Sequence, residues 1–162
     1  DDNALIFPPT IIGNNCEIRS GAYIRGDVII GNNCAVRTEI KNSVIMDNTN
    51  IAHPGYIGDS IIGSNCNFGI NISLSNLKIC EGNIKVKISD EVYDTNLRKL
   101  GSIIGDNVNI GSNVVLSPGS LVGKNVIIYP LTFIRDHIPS NMIVKLKQDQ
   151  YMLAKIFIFL CK

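Results

Sequence analysis

Aliphatic residues return every six positions along most of this chain. One run is Ile12, Ile18, Ile24, Ile30 and Val36; a second is Ile45, Ile51 and Ile57, followed by Ile62 and Phe68; a third is Ile104, Ile110, Leu116, Val122, Ile128 and Ile134. Polar corner residues follow them, as in Ile12-Gly13-Asn14-Asn15, Ile30-Gly31-Asn32-Asn33, Ile62-Gly63-Ser64-Asn65 and Ile104-Gly105-Asp106-Asn107. A small or slim residue stands four places after an aliphatic one at Cys16, Cys34, Cys66, Val108 and Val114. A period of six is neither the 3.6 of a helix nor the 2 of a plain strand. It predicts one short strand and one corner per repeat, with three repeats closing a triangular coil and successive coils pairing through parallel strands. Gly and Asn accept the corner dihedrals that β-branched residues refuse. The fold class expected is all-β, a left-handed parallel β-helix, with the aliphatic side chains inside the prism.

The phase breaks twice. Between Val36 and Ile45 the spacing is nine, so the residues from Thr38 to Ser43 must bulge or adjust the coil. From Ser73 to Gly101 the hexad disappears, and a long loop in a compact solenoid is usually functional. Within it Ile84-Lys85-Val86-Lys87-Ile88 alternates like an exposed strand that Glu91-Val92-Tyr93 could rejoin. After Pro139 the pattern ends, which places His137 beyond the last coil. The expected organisation is a β-helix over 1–146 carrying the 73–101 insertion, then a tail over 147–162, helical from Asp149 to Leu160 and covering the open end.

Composition narrows the function classes. The 162 residues include 28 isoleucines and 19 asparagines, a strand-and-corner composition. Net charge is +1, with 15 basic and 14 acidic residues and no basic tract, so nucleic acid is disfavoured as a partner. The apolar stretch Ile156-Phe157-Ile158-Phe159-Leu160 is too short to span a bilayer, so no membrane partner is expected. Five cysteines at scattered spacings form no disulfide framework, which favours a reducing, cytoplasmic setting. Cys16, Cys34 and Cys66 read as core thiols, since the first two lie one coil apart.

Candidate chemistry is sparse. His53 follows an inward position by two residues, which puts it at an outward corner, and it is the best general base available. An exposed histidine on a solenoid is otherwise an ordinary surface residue. Two histidines do not make a three-histidine zinc site, which weakens a metal-dependent lyase reading. Lys41 at the first break and Arg98-Lys99 at the end of the second offer cations for a phosphate.

Several segments resemble a known family. They are Cys16-Glu17-Ile18-Arg19-Ser20-Gly21-Ala22-Tyr23-Ile24-Arg25-Gly26, Glu39-Ile40-Lys41-Asn42-Ser43-Val44-Ile45-Met46-Asp47, His53-Pro54-Gly55-Tyr56-Ile57-Gly58-Asp59-Ser60-Ile61-Ile62-Gly63 and Arg98-Lys99-Leu100-Gly101-Ser102-Ile103-Ile104-Gly105-Asp106. Over residues 10–145 the chain resembles the C-terminal acetyltransferase domain of archaeal-type bifunctional sugar-1-phosphate nucleotidylyltransferase/acetyltransferases, which serve UDP-N-acetylglucosamine synthesis. The resemblance implies acetyl transfer from acetyl-CoA to the amine of glucosamine 1-phosphate or a related hexosamine 1-phosphate, in a homotrimer and without a metal. It implies His53 as general base and Lys41 and Lys99 as phosphate holders. It further implies Tyr56 and Asn67 as sugar contacts, Asn76 as an active-site amide and Ser112 as a neighbour of the acetyl-CoA thioester.

The nucleotide-transferring half has no counterpart here, so a C-terminal part of a longer enzyme is expected. Two places depart from the family pattern. Asn67 is followed by Phe68-Gly69-Ile70-Asn71-Ile72 in place of a Gly-Ala-Gly-Thr run, and Tyr129-Pro130-Leu131 stands where small residues are usual. Bulk at these points would narrow an acetyl-CoA groove. The alternative reading is a non-catalytic β-helix that oligomerises and regulates an attached nucleotidyltransferase.

Overall fold

A computed structural model of the protein describes residues 1–152. Three seven-stranded parallel sheets form the faces of a three-sided solenoid, and a two-stranded hairpin projects from it. Each coil supplies one short strand to each face. In one coil these are Tyr23–Ile24 on the first face, Val28–Ile30 on the second and Ala35–Val36 on the third. The next coil supplies Glu39–Lys41, Ser43–Ile45 and Asn50–Ile51 in the same order.

The six-residue aliphatic rows stack inside. Ile24, Ile30, Val36, Ile62, Phe68, Ile104, Ile110, Leu116, Val122 and Ile128 are all buried in one continuous core. Ile12 and Ile18, in the first coil, are half-buried because that end has no coil stacked on it. Cys34 and Cys66 are core thiols as expected; burial pushes both above the ordinary thiol range.

The asparagines hold the corners. Asn15, Asn33, Asn65, Asn107 and Asn125 all sit at φ between 56° and 58°, the left-handed region that Asn tolerates better than other side chains. Their amides also bond from coil to coil, Asn107 Nδ2 donating to Asn125 Oδ1 at 3.0 Å and Asn125 Nδ2 to Asn141 Oδ1 at 2.9 Å. Asn15, Asn33, Asn107 and Asn125 thus serve both their own turn and the next.

Coil length is not uniform, and this accounts for the breaks. Equivalent corner residues are 18 apart at Asn14 and Asn32 but 15 apart at Asn32 and Asp47. Two of the missing residues leave the third-to-first corner, so Ile40 follows Val36 after only four positions and still points inward, fully buried; the third leaves the next corner, where Ile45 follows Ile40 after five. The expected bulge over 38–43 is therefore a shortened coil. A second shortening near the end puts Lys124 and Ser140 16 apart. His137 consequently lies in a strand, His137–Ile138, paired with Leu121–Val122, not beyond the last coil. Ile143–Val144 then adds a strand after Pro139, where the hexad was expected to have ended.

At Ser64 and Asp106 the same offset is 42, because the chain leaves the first-to-second corner on a long excursion. Its hairpin is the expected one, Lys85–Ile88 running antiparallel to Glu91–Asp94. Ile84 and Val86 are buried and dock it on the coils. No helix is formed among the described residues, and residues 145–152 carry no regular structure; the rest of the expected tail helix lies outside them, as does Cys161. No helix among the described residues is long and apolar enough to cross a membrane.

Candidate functional site

The residues singled out from sequence fall on the two edges of the first face. Lys41, Tyr56, Asn76 and Lys99 lie toward its corner with the second face. His53, Asn67 and Ser112 lie at or near its corner with the third. Between them runs the strand Gly55–Gly58, about 13 Å for four extended residues.

The first group is tightly joined. Strand Glu39–Lys41 pairs with Gly55–Gly58 so that Lys41 stands opposite Gly58. Gly58 has no room for a side chain: a β-carbon there would meet the Tyr56 hydroxyl at 2.5 Å and Asn76 Nδ2 at 2.6 Å. The phenol therefore lies across Gly58 toward the Asn76 amide. Asp59 follows, at φ 49°, and its carboxylate collects three donors. Asn42 Nδ2 donates to Oδ1 at 2.7 Å, Asn76 Nδ2 donates to Oδ2, and Lys41 Nζ stands 3.5 Å from Oδ2.

Electrostatics follow from this packing. Burial alone would raise the Asp59 carboxyl, but the amide bonds from Asn42 and Asn76 and the Lys41 ammonium outweigh it and hold it below the usual carboxylate range. Burial, then the Asp59 and Glu39 carboxylates, push the Tyr56 phenol above its ordinary value, so it stays protonated and can donate. Beside Lys41 a polar hollow of about 390 Å³ is lined by Arg25, Gly26, Asp27, Lys41 and Asn42. Arg25 is ion-paired with Glu39 at 2.8 Å. On the other side Lys99 lines a larger groove of about 460 Å³ that also takes in Asp59, Asn42 and the aliphatic row Ile11, Ile29, Val44 and Ile61. Lys99 reaches this place because it pairs with Leu77 across the base of the excursion. Arg98, by contrast, turns into the excursion toward the carbonyls of Lys78 and Gly82. Lys41 and Lys99 therefore flank Asp59, while Arg98 does not join them.

The second group is a column along one corner. His53 is exposed, one residue before Pro54, whose carbonyl accepts from Asn71 N. Asn113 N then bonds to Ile70 O, and Leu131 N to Ser112 O. His53 and Ser112 are thus two coils apart, on the order of 10 Å. Asn67 accepts from Asn50 Nδ2 at 2.9 Å and lines a groove of about 300 Å³ with Asn109, Gly111, Tyr129 and Pro130. Tyr129 and Pro130 wall this groove and do not fill it.

Asp59, Asn42 and Arg25 were not singled out from sequence, although all three lie within or beside the quoted segments. The available signal for Asp59 was a carboxylate 17 positions after Asn42, one coil on.

Comparison with known proteins adds a family. The chain matches the family described as GMPPB C-terminal domain over residues 6–100 and the bacterial transferase hexapeptide (six repeats) over residues 101–136. It is 44% identical over 119 residues to the "Bifunctional protein GlmU" of Methanocaldococcus jannaschii, covering 74% of this chain and 29% of that protein. It is 42% identical over 118 residues to the same-named protein of Methanococcus maripaludis, covering 73% and 28%. It is 35% identical over 150 residues to a "Bifunctional sugar-1-phosphate nucleotidylyltransferase/acetyltransferase" of Sulfurisphaera tokodaii, covering 80% and 37%. The chain therefore spans well under half the length of these relatives. Among solved structures it resembles the N-acyltransferase AntD of Bacillus cereus, in complex with dTDP-4-amino-4,6-dideoxyglucose and coenzyme A, at a TM-score of 0.55 and 18% identity, over 91% of this chain and 84% of that one. The acetyltransferase domain of PglB from Neisseria gonorrhoeae, in complex with acetyl coenzyme A, matches at 0.53 and 16%, over 88% and 51%. At these identities the likeness is one of fold.

Proposed function

The chain belongs to the GMPPB C-terminal domain family, and from that premise we propose that it transfers acetyl from acetyl-CoA to the amine of glucosamine 1-phosphate or a related hexosamine 1-phosphate. The observation that carries this reading is the convergence of Lys41, Tyr56, Asn76 and Lys99 around one corner, although the last two come from either end of a long excursion. Two cations and two neutral donors gathered at one corner, with a polar hollow beside Lys41, suit a phosphorylated sugar.

In this reaction the neutral amine attacks the thioester carbonyl, a C–N bond forms, the C–S bond breaks and coenzyme A leaves. His53 takes the proton that the amine loses, and its exposed imidazole is open to that exchange. Lys41 and Lys99 hold the phosphate, Tyr56 and Asn67 contact the sugar, and Asn76 supplies an active-site amide beside Lys41 and Tyr56. Acetyl-CoA lies along the third face beside Ser112, where the groove walled by Tyr129 and Pro130 supports it. No covalent enzyme intermediate and no metal is needed, since positioning and polar donors suffice for direct transfer.

The two groups of residues stand a full face apart, which supports a homotrimer whose sites are completed by a neighbouring copy. A cytoplasmic setting belongs to the same reading. Thiol release from acetyl-CoA, assayed with a panel of hexosamine 1-phosphates, tests the proposal. Release with glucosamine 1-phosphate or a close relative is expected, and silence across the panel overturns it.

A further inference from the structure

Asp59 stands at the crossing of every element of the Lys41 corner. Its side-chain carboxylate bonds Asn76, the residue at which the chain leaves the coil, and its main-chain carbonyl accepts from Gly101 N at 2.8 Å, where the chain returns. Between these two points Leu100 N bonds Asn76 O at 3.0 Å, and Lys99 pairs with Leu77. One residue therefore ties down both ends of the excursion that carries Lys99. The same carboxylate faces Lys41 on the neighbouring coil, and only 9% of its side chain is exposed.

We propose that Asp59 is the positioning residue of the sugar-phosphate site, holding Lys41, Asn76 and the base of the Lys99 segment in one arrangement; the proposal rests on the acetyltransferase reading above. Lys41 lines the polar hollow and Asp59 does not, so the ammonium, not the carboxylate, faces that hollow. An ammonium has three donors, so Lys41 can spend one on Asp59 and offer the others to a phosphate. A lysine held by a buried carboxylate loses its rotamer freedom before the substrate arrives, so less ordering remains to be done on binding. Asn76 is oriented in the same way. Donation from its Nδ2 to Asp59 fixes the amide and leaves its carbonyl oxygen free of that bond. Asp59 itself touches no reacting atom.

The test is Asp59→Asn, which suits the left-handed φ of 49° and keeps one acceptor oxygen while removing the charge that holds Lys41. Binding of glucosamine 1-phosphate is measured by calorimetry and turnover by thiol release, with circular dichroism and a melting curve to establish that the variant is folded. The expected result is affinity for glucosamine 1-phosphate lowered, and its KM raised, roughly tenfold, with KM for acetyl-CoA and kcat within about threefold of wild type. Affinity for unphosphorylated glucosamine should not change.

Unchanged or tighter binding of the sugar phosphate by the folded variant overturns the proposal, the tighter case meaning that Asp59 merely repels the phosphate. Wild type that binds the sugar phosphate but releases no thiol removes the acetyl-transfer reading alone, and the binding arm still decides the role of Asp59. Wild type that binds no sugar phosphate overturns both. If Asp59→Asn does not fold, Asp59→Glu, which restores charge on a longer arm, should show the same selective rise in KM; equal losses in KM for both substrates would mark a purely structural role.

Discussion

Ile84 packs directly on Gly119: a β-carbon on that glycine would stand 2.7 Å from Ile84 Cγ2. The glycine also sits at φ 79°, so it is required both for space and for backbone shape. This contact seats the excursion on the solenoid, since Ile84 is fully buried at the root of the hairpin. Ile84→Ala should release the hairpin without unfolding the coils. Limited trypsin digestion reads this out, because Lys85 and Lys87 lie on the first hairpin strand. Cleavage there should be at least several-fold faster in the variant, with the β-sheet circular dichroism retained. Gly119→Ala should behave alike. Equal digestion rates would mean that the hairpin is held elsewhere.

His53 and Lys99 should separate by kinetic signature. His53 is exposed, so His53→Ala leaves packing intact and should lower acetyl transfer by roughly 10²–10⁴-fold, the usual worth of a positioned base. Lys99→Ala should mainly raise KM for the sugar phosphate. Retention of most of the thiol-release rate by His53→Ala would remove the acid–base role and advance the non-catalytic reading.

Much of this was legible in the sequence, and the rest failed for a definite reason. The six-residue period gave the three faces and nearly every inward aliphatic, because side-chain direction in a strand is local. It passed over Ile40, which follows Val36 by four positions, and left His137 outside the coils. A corner can lose two residues without disturbing the strands it joins, and no composition signal marks that loss. The resemblance named Lys41, Tyr56, Asn76 and Lys99, which the coils bring to one corner. Asp59 was not named, because its importance depends on which residues successive coils bring side by side. With offsets of 15, 17 and 42 between neighbouring coils, that depends on lengths the hexad does not encode.

Acid unfolding should carry the signature of Asp59. Its carboxyl titrates lower in the folded protein than in the unfolded chain, so the folded state binds fewer protons there as the pH falls. The stability it contributes is fully present above the unfolded value, near 4. It is lost as the pH drops through the lower folded value. Melting temperatures of wild type and Asp59→Asn, compared from pH 7 down to about pH 2, should differ by a constant amount until about pH 4 and then converge. A gap that already closes between pH 7 and pH 5 would contradict the lowered carboxyl.

Leu131 occupies a corner position that Asn fills in the two preceding coils. Asn71, Asn113 and Leu131 have φ of 59°, 57° and 63°, and Asn71 Nδ2 donates to Asn113 Oδ1 at 3.2 Å. The ladder stops there, because leucine offers no amide and pays about 1 kcal/mol to adopt the left-handed region. Little packing offsets this cost, since Leu131 is 55% exposed. Leu131→Asn should therefore stabilise the protein by about 1 kcal/mol and raise Tm by about 2–4 °C for a chain of this size. It should also leave KM for the sugar phosphate unchanged, as the Lys41 corner lies across the first face. A fall in Tm would show that the leucine side chain is covered in the assembled protein, which is what a neighbouring copy seated on this corner would do.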